Sequence, residues 1–318
     1  MNTPELDARY AAIKAAFPEQ RKNYAAFVKS VDGPALTAKA ARLGLALDVQ
    51  GGQIAYAPDF EVKRVPLCFD LIYCRHGKTT GNTEPRVYQG FVDEPQNALN
   101  EIGLGQAKEA ADKLDALKLD PDLVVLSPLA RAADTGLAYV RRHPELQART
   151  ERWEEAAEMR FGAWDNVKVK DLADDNICHL FYLEQNAVVK TREPYRAPDG
   201  SLYSAENFVE VCERQHAMLT KLNARMAPLA AQKRPLVVMY GHSMAGAALS
   251  ILTGNGKIVD GQRYLGFDGK YIMPNATPVY LHQAAPAPMV PRTVVAGAIA
   301  LIALAAAAAL ARAVGRRA

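Results

Sequence analysis

The run from Phe69 to Cys74 is apolar apart from Asp70 and stops at Arg75-His76-Gly77, after which small polar residues lead to Asn82. A run of this length with so sharp an end predicts a buried strand followed by a loop. In an open α/β sheet the carboxyl ends of the strands are where ligands sit. An arginine and a histidine delivered there side by side can both hold a phosphate and attack it. Guanidinium matches phosphate oxygens in fork geometry, and neutral imidazole is a good nucleophile near neutral pH. Gly77 allows backbone to approach the anion closely. Three residues carry little weight by themselves, since a lone histidine is more often packed or solvated, so the rest of the chain decides.

Leu123 to Leu126 predicts a second strand between Pro121 and Ser127-Pro128, and that second proline starts a helix carrying Leu129, Arg131, Ala132 and Thr135. Before it, Tyr88 to Pro95 and Asn100 to Ala107 lead into a helix over 104–117, with Leu104, Ala107, Ala111, Leu114 and Leu117 as its buried stripe. Glu158-Met159-Arg160-Phe161-Gly162-Ala163-Trp164-Asp165 follows. A long helix opens near Ser204 and reaches about Ala231; a third strand, Leu236 to Tyr240, then runs into Gly241-His242-Ser243, and Asn275 to Leu281 makes a last one.

Arg75-His76-Gly77-x-Thr79-x-x-Asn82 closing a strand, Gln89-Gly90-Phe91-x-Asp93-x-Pro95, Ser127-Pro128-Leu129-x-Arg131-Ala132-x-x-Thr135 and Glu158-x-x-Phe161-Gly162-x-Trp164 together resemble the histidine phosphatase superfamily, the phosphoglycerate mutase-like enzymes. The resemblance covers residues 68–283 and implies a three-layer α/β/α domain with a mainly parallel sheet. It implies a phosphate pocket of Arg75, Thr79, Asn82 and Arg131, with His76 as the nucleophile that carries a transient phosphoryl group. It makes Glu158 the proton donor, with Glu154 and Glu155 as alternatives in another register. A carboxyl group beside a bound phosphate has its pKa raised by like charge and can hold that proton near neutral pH. The second histidine maps to His242, a cationic or hydrogen-bonding imidazole for the equatorial phosphate oxygens. Lys78 stands where Glu or Gln is common, and Ser243 where glycine is. The resemblance implies no metal and no other cofactor, because arginines and imidazolium supply the charge compensation that magnesium gives in kinases. The irregular stretch 171–203 maps to the insertion that lies over the site and selects substrate. Lys168, Lys170, Lys190, Arg192 and Arg196 are its candidates for further anionic groups. Ser204 to Phe208 loosely resembles a Gly-Glu-Ser segment ahead of a helix that carries an arginine, here Arg214.

Gly241-His242-Ser243-Met244-Ala245 has a competing reading as a nucleophile elbow, with Ser243, then Asp260 or Asp268, then His282 in triad order. Too little chain separates Ser243 from His282 for the strands and crossovers that normally intervene, and Ala245 occupies the second glycine position. That reading also leaves the other motifs unused.

Composition bounds the remainder. At 318 residues and 49% hydrophobic, the chain has material for one large or two modest domains, and its 38 basic residues are scattered among 35 acidic ones, which gives no nucleic-acid footprint. Cys68, Cys74, Cys178 and Cys212 lack metal-site spacing and point to a reducing compartment. Residues 1–66 form a helical N-terminal extension: Tyr10 to Val28 predicts two short helices interrupted at Pro18, and Leu36 to Leu47 a third. The first 30 residues contain no apolar signal region. Residues 294–311 carry no charge and lie between Arg292 and Arg312, which reads as a transmembrane anchor behind an Ala/Pro linker, 284–293; an Ala-rich helix docked on the domain is the other reading.

The chain therefore reads as a helical extension (1–66), a catalytic domain (67–283), a linker and an anchor. The domain is expected in the cytosol, hydrolysing a small anionic phosphomonoester through a phosphohistidine. Phosphoglycerate mutase-type transfer is the runner-up: mutases of the family have an arginine directly after the catalytic glutamate and a tandem arginine pair in the insertion, where this chain has Met159 and isolated Arg192 and Arg196. A membrane-tethered protein that binds phosphorylated ligands without turnover is a further alternative.

Overall fold

The computed structural model describes residues 3–56, 64–183, 187–255, 257–259, 262–264 and 273–283. These lie in the compact unit Met1–Ala284. The linker 284–293 and the stretch 294–311 lie outside the described residues, and among the described residues no helix is long and apolar enough to cross a membrane.

The chain begins with α1 (Pro4–Ala15), α2 (Phe17–Val28) and α3 (Gly33–Arg42), followed by the hairpin β1 (Leu45–Asp48) and β2 (Gln53–Tyr56). Pro18 sits in the first turn of α2, where a missing N–H costs nothing. Asp32 caps α3 by accepting from Ala35 N at 3.1 Å. The helix expected over 36–47 ends early, at Arg42, because Gly44 turns to φ +76° and releases Leu45 into β1. Then come β3 (Asp70–Arg75), α4 (Glu101–Ala116), β4 (Leu123–Leu126), α5 (Ala130–Val140), β5 (Thr150–Arg152), α6 (Phe208–Ala230), β6 (Leu236–Gly241), α7 (Ser243–Leu252) and β7 (Val279–His282).

Five strands form one sheet in the order β7-β3-β6-β4-β5. All neighbours are parallel except β7, which runs antiparallel to β3. Alternate residues point to opposite faces of a strand, and here both faces are covered. Leu71, Tyr73, Val125, Val237 and Met239 join one buried cluster with α6 and α7 residues such as Phe208, Leu219 and Leu249. Ile72, Cys74, Val124, Val238 and Tyr240 join another with Ala111 and Leu114 of α4 and Tyr139 of α5. Burial on both sides explains why these strands read as unbroken apolar runs.

The face of α4 differs from the expected stripe. Leu104 and Leu117 are about half exposed, at 52% and 51%, and the buried positions are Gly103, Ala107, Ala110, Ala111 and Leu114. Small residues are needed because the helix start lies hard against the loop after β3. A Cβ on Gly103 would stand 2.0 Å from Lys78 O, and one on Gly77 2.5 Å from Gly103 O.

The N-terminal helices are fastened to the segment that follows residue 170. Arg9 Nε and Nη2 donate to the carbonyls of Lys170 and Leu172, each at 2.7 Å. Gln20 Nε2 donates to Asp174 O at 2.6 Å, and the buried Tyr24 hydroxyl accepts from Val188 N at 3.0 Å.

Two glycines of α4 should respond in opposite directions. Gly105 has open space around its missing Cβ, so Gly105→Ala should stabilise by about 0.5–1 kcal/mol through helix propensity. Gly103→Ala should destabilise by about 1–3 kcal/mol, as overpacking does. Urea unfolding of both variants checks this, and stabilisation by both would refute the close approach.

Candidate active site

Parallel registry brings the strand ends level. Arg75 pairs with Gly241, and Tyr240 lies beside both Cys74 and Leu126. The ladder continues past the strands: His76 N donates to Gly241 O and Ser127 N to Tyr240 O, both at 3.0 Å. The residues just beyond the strands, His76, Ser127 and His242, therefore emerge together. Tyr73 fixes the third of them from β3, its hydroxyl donating to His242 O and accepting from His242 N, both at 2.6 Å.

His76 is 2% exposed. Its Nδ1 lies 2.7 Å from Gly77 O; a carbonyl can only accept, so Nδ1 carries the proton and Nε2 keeps its lone pair. Burial, then the charges of Arg75 and Arg131, hold its pKa well below the ordinary histidine value. His242 lies 5.3 Å away between ring centroids, and its Nε2 is 2.7 Å from Ser127 Oγ. Burial, then Arg131 and His76, push its pKa well down as well, so it is a neutral hydrogen-bonding imidazole rather than a cation as the site stands. Its Nδ1 is buried and has no hydrogen-bond partner among the described residues.

Arg131 is 1% exposed. Nη1 and Nη2 donate to the carbonyls of Val92 and Gly90, at 3.0 and 2.6 Å, each nitrogen keeping a second N–H. Burial lowers its pKa to about 10, which leaves it charged at neutral pH. Thr135 links this helix to the loop after β3: its hydroxyl donates to Arg131 O at 2.7 Å and accepts from Gly77 N at 3.0 Å. Arg75 Nη1 donates to Met273 O at 2.7 Å.

Glu158 sits at the start of α7. Its Oε1 accepts from Met159 N at 2.9 Å and from Met244 N and Ala245 N at 3.1 Å, while Oε2 accepts from Met244 N alone, at 3.2 Å. Oε2 is thus the oxygen with room for a proton exchange. The neighbouring Glu155 points elsewhere, to Lys221 Nζ at 2.9 Å. The backbone behind Glu158 hangs from Arg214, which donates to the carbonyls of Glu155, Ala157 and Glu158 at 2.8–3.2 Å. Arg214 is itself held by Glu206 at 2.8 and 2.9 Å.

Arg75, His76, Asn82, Arg131 and Glu158 line one cavity of about 320 Å³. Thr79, expected with them, stands behind it. Its hydroxyl donates to Gln89 Oε1 at 2.8 Å and lies 3.1 Å from Asn82 Oδ1, so it positions Asn82, which is left with Nδ2 to offer a ligand. Lys168, Lys170, Lys190, Arg192 and Arg196 do not line the cavity; Lys190 is paired with Glu210 at 2.9 Å and Lys170 with Asp171 at 2.7 Å. Gly77 packs against the start of α4.

The serine-hydrolase arrangement fails on geometry. Ser243 lines the cavity at the carboxyl end of the sheet. His282 is registered with Leu71 and its Nε2 lies 3.1 Å from Leu67 O, at the other end of β3. That is about 15 Å away at the rise of a strand. Asp260 and Asp268 lie outside the described residues.

Several working side chains carried no role in the sequence reading. Ser127 and Thr135 stood within recognised motifs but only as letters of the pattern. Asp165 is another: buried at 3% exposure, it accepts from Phe161 N at 3.1 Å and Phe91 N at 3.3 Å, joining two loops under Arg131. Burial raises its pKa to about 8. The tightness shows at Gly90, φ +47°, whose Cβ would fall 1.5 Å from Asp165 Oδ1.

Two arginines, the His76 imidazole and a carboxyl group lining one cavity at the carboxyl end of a mainly parallel sheet, with the buried His242 ring 5.3 Å from that of His76 but not itself in the cavity lining, form an anion site equipped for phosphoryl transfer. A family model, histidine phosphatase superfamily (branch 1), matches residues 71–258. A mannitol-1-phosphatase of Eimeria tenella is 43% identical over 302 residues, covering 88% of this chain and 96% of its own. Among solved structures, mycobacterial hydrolase 1 is 24% identical with a TM-score of 0.48, covering 69% of this chain and 99% of its own. A mycobacterial glucosyl-3-phosphoglycerate phosphatase is 25% identical with a TM-score of 0.44, covering 58% and 79%. The chain belongs to the histidine phosphatase superfamily, and it is a phosphatase of that kind.

The lowered histidine pKa values have a consequence for stability. An unfolded histidine takes up its proton near pH 6.5, whereas folded His76 and His242 do so only well below. Below pH 6.5 the unfolded chain then binds more protons, so stability falls as pH falls, by at most about 1.4 kcal/mol per pH unit per group. Urea titrations at pH 6.5 and 5.5 should show a smaller drop for His242→Gln than for the parent, by about 1 kcal/mol. An equal drop in both would remove His242 as a buried neutral group.

Proposed function

We propose that this enzyme hydrolyses the phosphate monoester of a small polyol through a phosphohistidine on His76. The observation that carries this is the His76 ring: Nδ1 held on Gly77 O leaves the Nε2 lone pair for a cavity that also holds Arg75, Arg131 and Glu158. Nε2 bonds to phosphorus as the ester oxygen departs, and Glu158 gives that oxygen its proton. Water then attacks the phosphohistidine, Glu158 takes a proton from it, and inorganic phosphate leaves while Nε2 recovers its lone pair. Arg75, Arg131, Asn82 and the Nδ1 of His242 offset the charge spread over the equatorial oxygens.

Two things support a neutral polyol as the carried group. The relative at 43% identity is a mannitol-1-phosphatase. The remaining cavity wall mixes uncharged polar side chains, Gln89, Ser243 and Asn275, with Phe161, Phe181 and Met244, and its further charge, Arg86, lies 3.1 Å from the carboxylate of Glu84. Met159, where mutases of the family have arginine, is wholly buried, which favours hydrolysis over transfer to a second hydroxyl. The uncharged stretch 294–311 between arginines supports a membrane tether there.

The test is leaving-group dependence. Glu158→Gln should lower kcat on hexitol 1-phosphates by about 10²–10⁴-fold. On p-nitrophenyl phosphate, whose phenolate departs without a proton, the loss should be far smaller, with labelled phosphohistidine accumulating in acid-quenched samples. His76→Ala should abolish both reactions. Equal loss on both substrates would refute Glu158 as proton donor, and turnover by His76→Ala would refute the covalent route.

A further inference from the structure

Asn275, in the turn before β7, is a half-buried part of the catalytic cavity's wall that the chemical steps do not use. Its turn is tied to the end of β3: Arg75 Nη1 donates to Met273 O at 2.7 Å, Ala276 N to Arg75 O at 2.9 Å, and Asn275 Nδ2 to His76 O at 2.8 Å. Ala276 takes φ +43°, a left-handed conformation uncommon for a residue with a Cβ. Thr277 Oγ1 holds the same turn by donating to Asn275 O at 3.1 Å. The bond to His76 fixes which end of the amide is left over. His76 O is a carbonyl and can only accept, so the NH2 group lies on it and Oδ1 points away from it. No described residue donates to that oxygen. Asn82, in the same wall, is turned the other way: its Oδ1 accepts from Thr79 N at 3.2 Å, which leaves Nδ2.

We propose that Asn275 is a specificity residue of the catalytic cavity, its Oδ1 accepting the proton of a substrate hydroxyl close to the phosphate. The placement follows from the anchor: an amide whose nitrogen rests on the main chain of the nucleophile reaches the first carbons of the carried group, not its far end. The chemistry follows from the sign of the end left over. The groups that grip phosphate are donors, Arg131 and Asn82 Nδ2 among them, and an oxyanion answers donors well. An amide oxygen answers only a group that brings its own proton. An alcohol does so. A carboxylate, a carbonyl oxygen or a second phosphate dianion in the same place does not, and sets two acceptors against each other. Donors with an acceptor beside them thus match a phosphate with a neighbouring hydroxyl. Such a site rejects the analogue that lacks the hydroxyl, because its own polar group is then left unpaired. This inference rests on the polyol phosphate reading and states which part of the polyol is recognised.

The parent enzyme and two variants are compared on a hexitol 1-phosphate, its 2-deoxy and 3-deoxy analogues, and p-nitrophenyl phosphate. The parent should prefer the hexitol phosphate over one of the deoxy analogues by about ten- to a hundredfold in kcat/KM. Asn275→Ala removes both contacts of the amide. The lost bond to His76 O acts on every substrate, and p-nitrophenyl phosphate measures that common factor. The hexitol-to-deoxy ratio, which the common factor does not touch, should fall to about threefold or less. Asn275→Asp still offers an acceptor oxygen but no N–H for His76 O, so turnover of every substrate should slow while the hexitol-to-deoxy ratio is kept. A merely structural role predicts one common factor on all substrates in Asn275→Ala with that ratio unchanged. This result, or loss of the ratio in Asn275→Asp, would overturn the proposal. So would a parent that hydrolyses both deoxy analogues as well as the hexitol phosphate, which leaves the polyol reading standing and removes Asn275 from it. Should the parent turn over p-nitrophenyl phosphate but no hexitol phosphate, the polyol reading fails and this assignment falls with it.

Discussion

The hydroxyl of Tyr73, clasping both backbone polar groups of His242, is the contact on which the rest of the site depends. Tyr73 lies two residues before Arg75 on β3, and His242 immediately follows β6. One side chain therefore ties the end of one strand to the end of its neighbour. The bond needs parallel strands in register and it needs space: a Cβ on Gly241 would lie 2.4 Å from the tyrosine oxygen, and one on Gly246 2.6 Å from its ring. With those glycines in place the two imidazoles face each other at 5.3 Å. Arg131 arrives from β4's end by way of α5, and Glu158 is seated on the first amides of α7.

Much of this was legible in the sequence because it is local. Strands buried on both faces announce themselves as apolar runs, and the residues at their ends are the ones a ligand meets. Arg75, His76, Asn82, Arg131, Glu158 and His242 all came from strand ends or the motifs next to them. The roles that the pattern does not show depend on partners far along the chain or on backbone carbonyls, which leave no mark in a residue sequence. Glu206 and Arg214 support Glu158 from α6 and its approach, through main-chain oxygens. Thr79 has the right residue type for phosphate but spends its hydroxyl on Gln89. The stripe expected on α4 holds at Ala107, Ala111 and Leu114 and fails at Leu104 and Leu117, because close approach to the loop after β3 selects glycine and alanine at the helix start. β5, Thr-Glu-Arg, carries no apolar signal at all, as suits an edge strand.

Electrostatics in the site run against ordinary folding economy. Two histidines are buried beside two arginines, and the carboxyl group of Asp165 is buried with them. Each shift has burial as its largest cause: the imidazoles become weaker bases, the carboxyl a weaker acid, and Arg131 loses some basicity while staying charged. The result is a pocket in which neutral imidazole coexists with fixed positive charge, the combination that lets one group attack a phosphate while others hold it.

The anchoring of α1 and α2 on residues 170–188 has a bearing on how such an enzyme diversifies. The side of the cavity lined by Arg75, His76 and Arg131 is rooted in the sheet, where a change at any strand end disturbs its neighbours. The side that includes Phe181 belongs to a segment braced from outside by helices that precede the first sheet strand. Mutations can accumulate in that bracing without touching the nucleophile, so lineages sharing one chemistry can drift in diet by remodelling a part of the chain remote in sequence from every reacting atom.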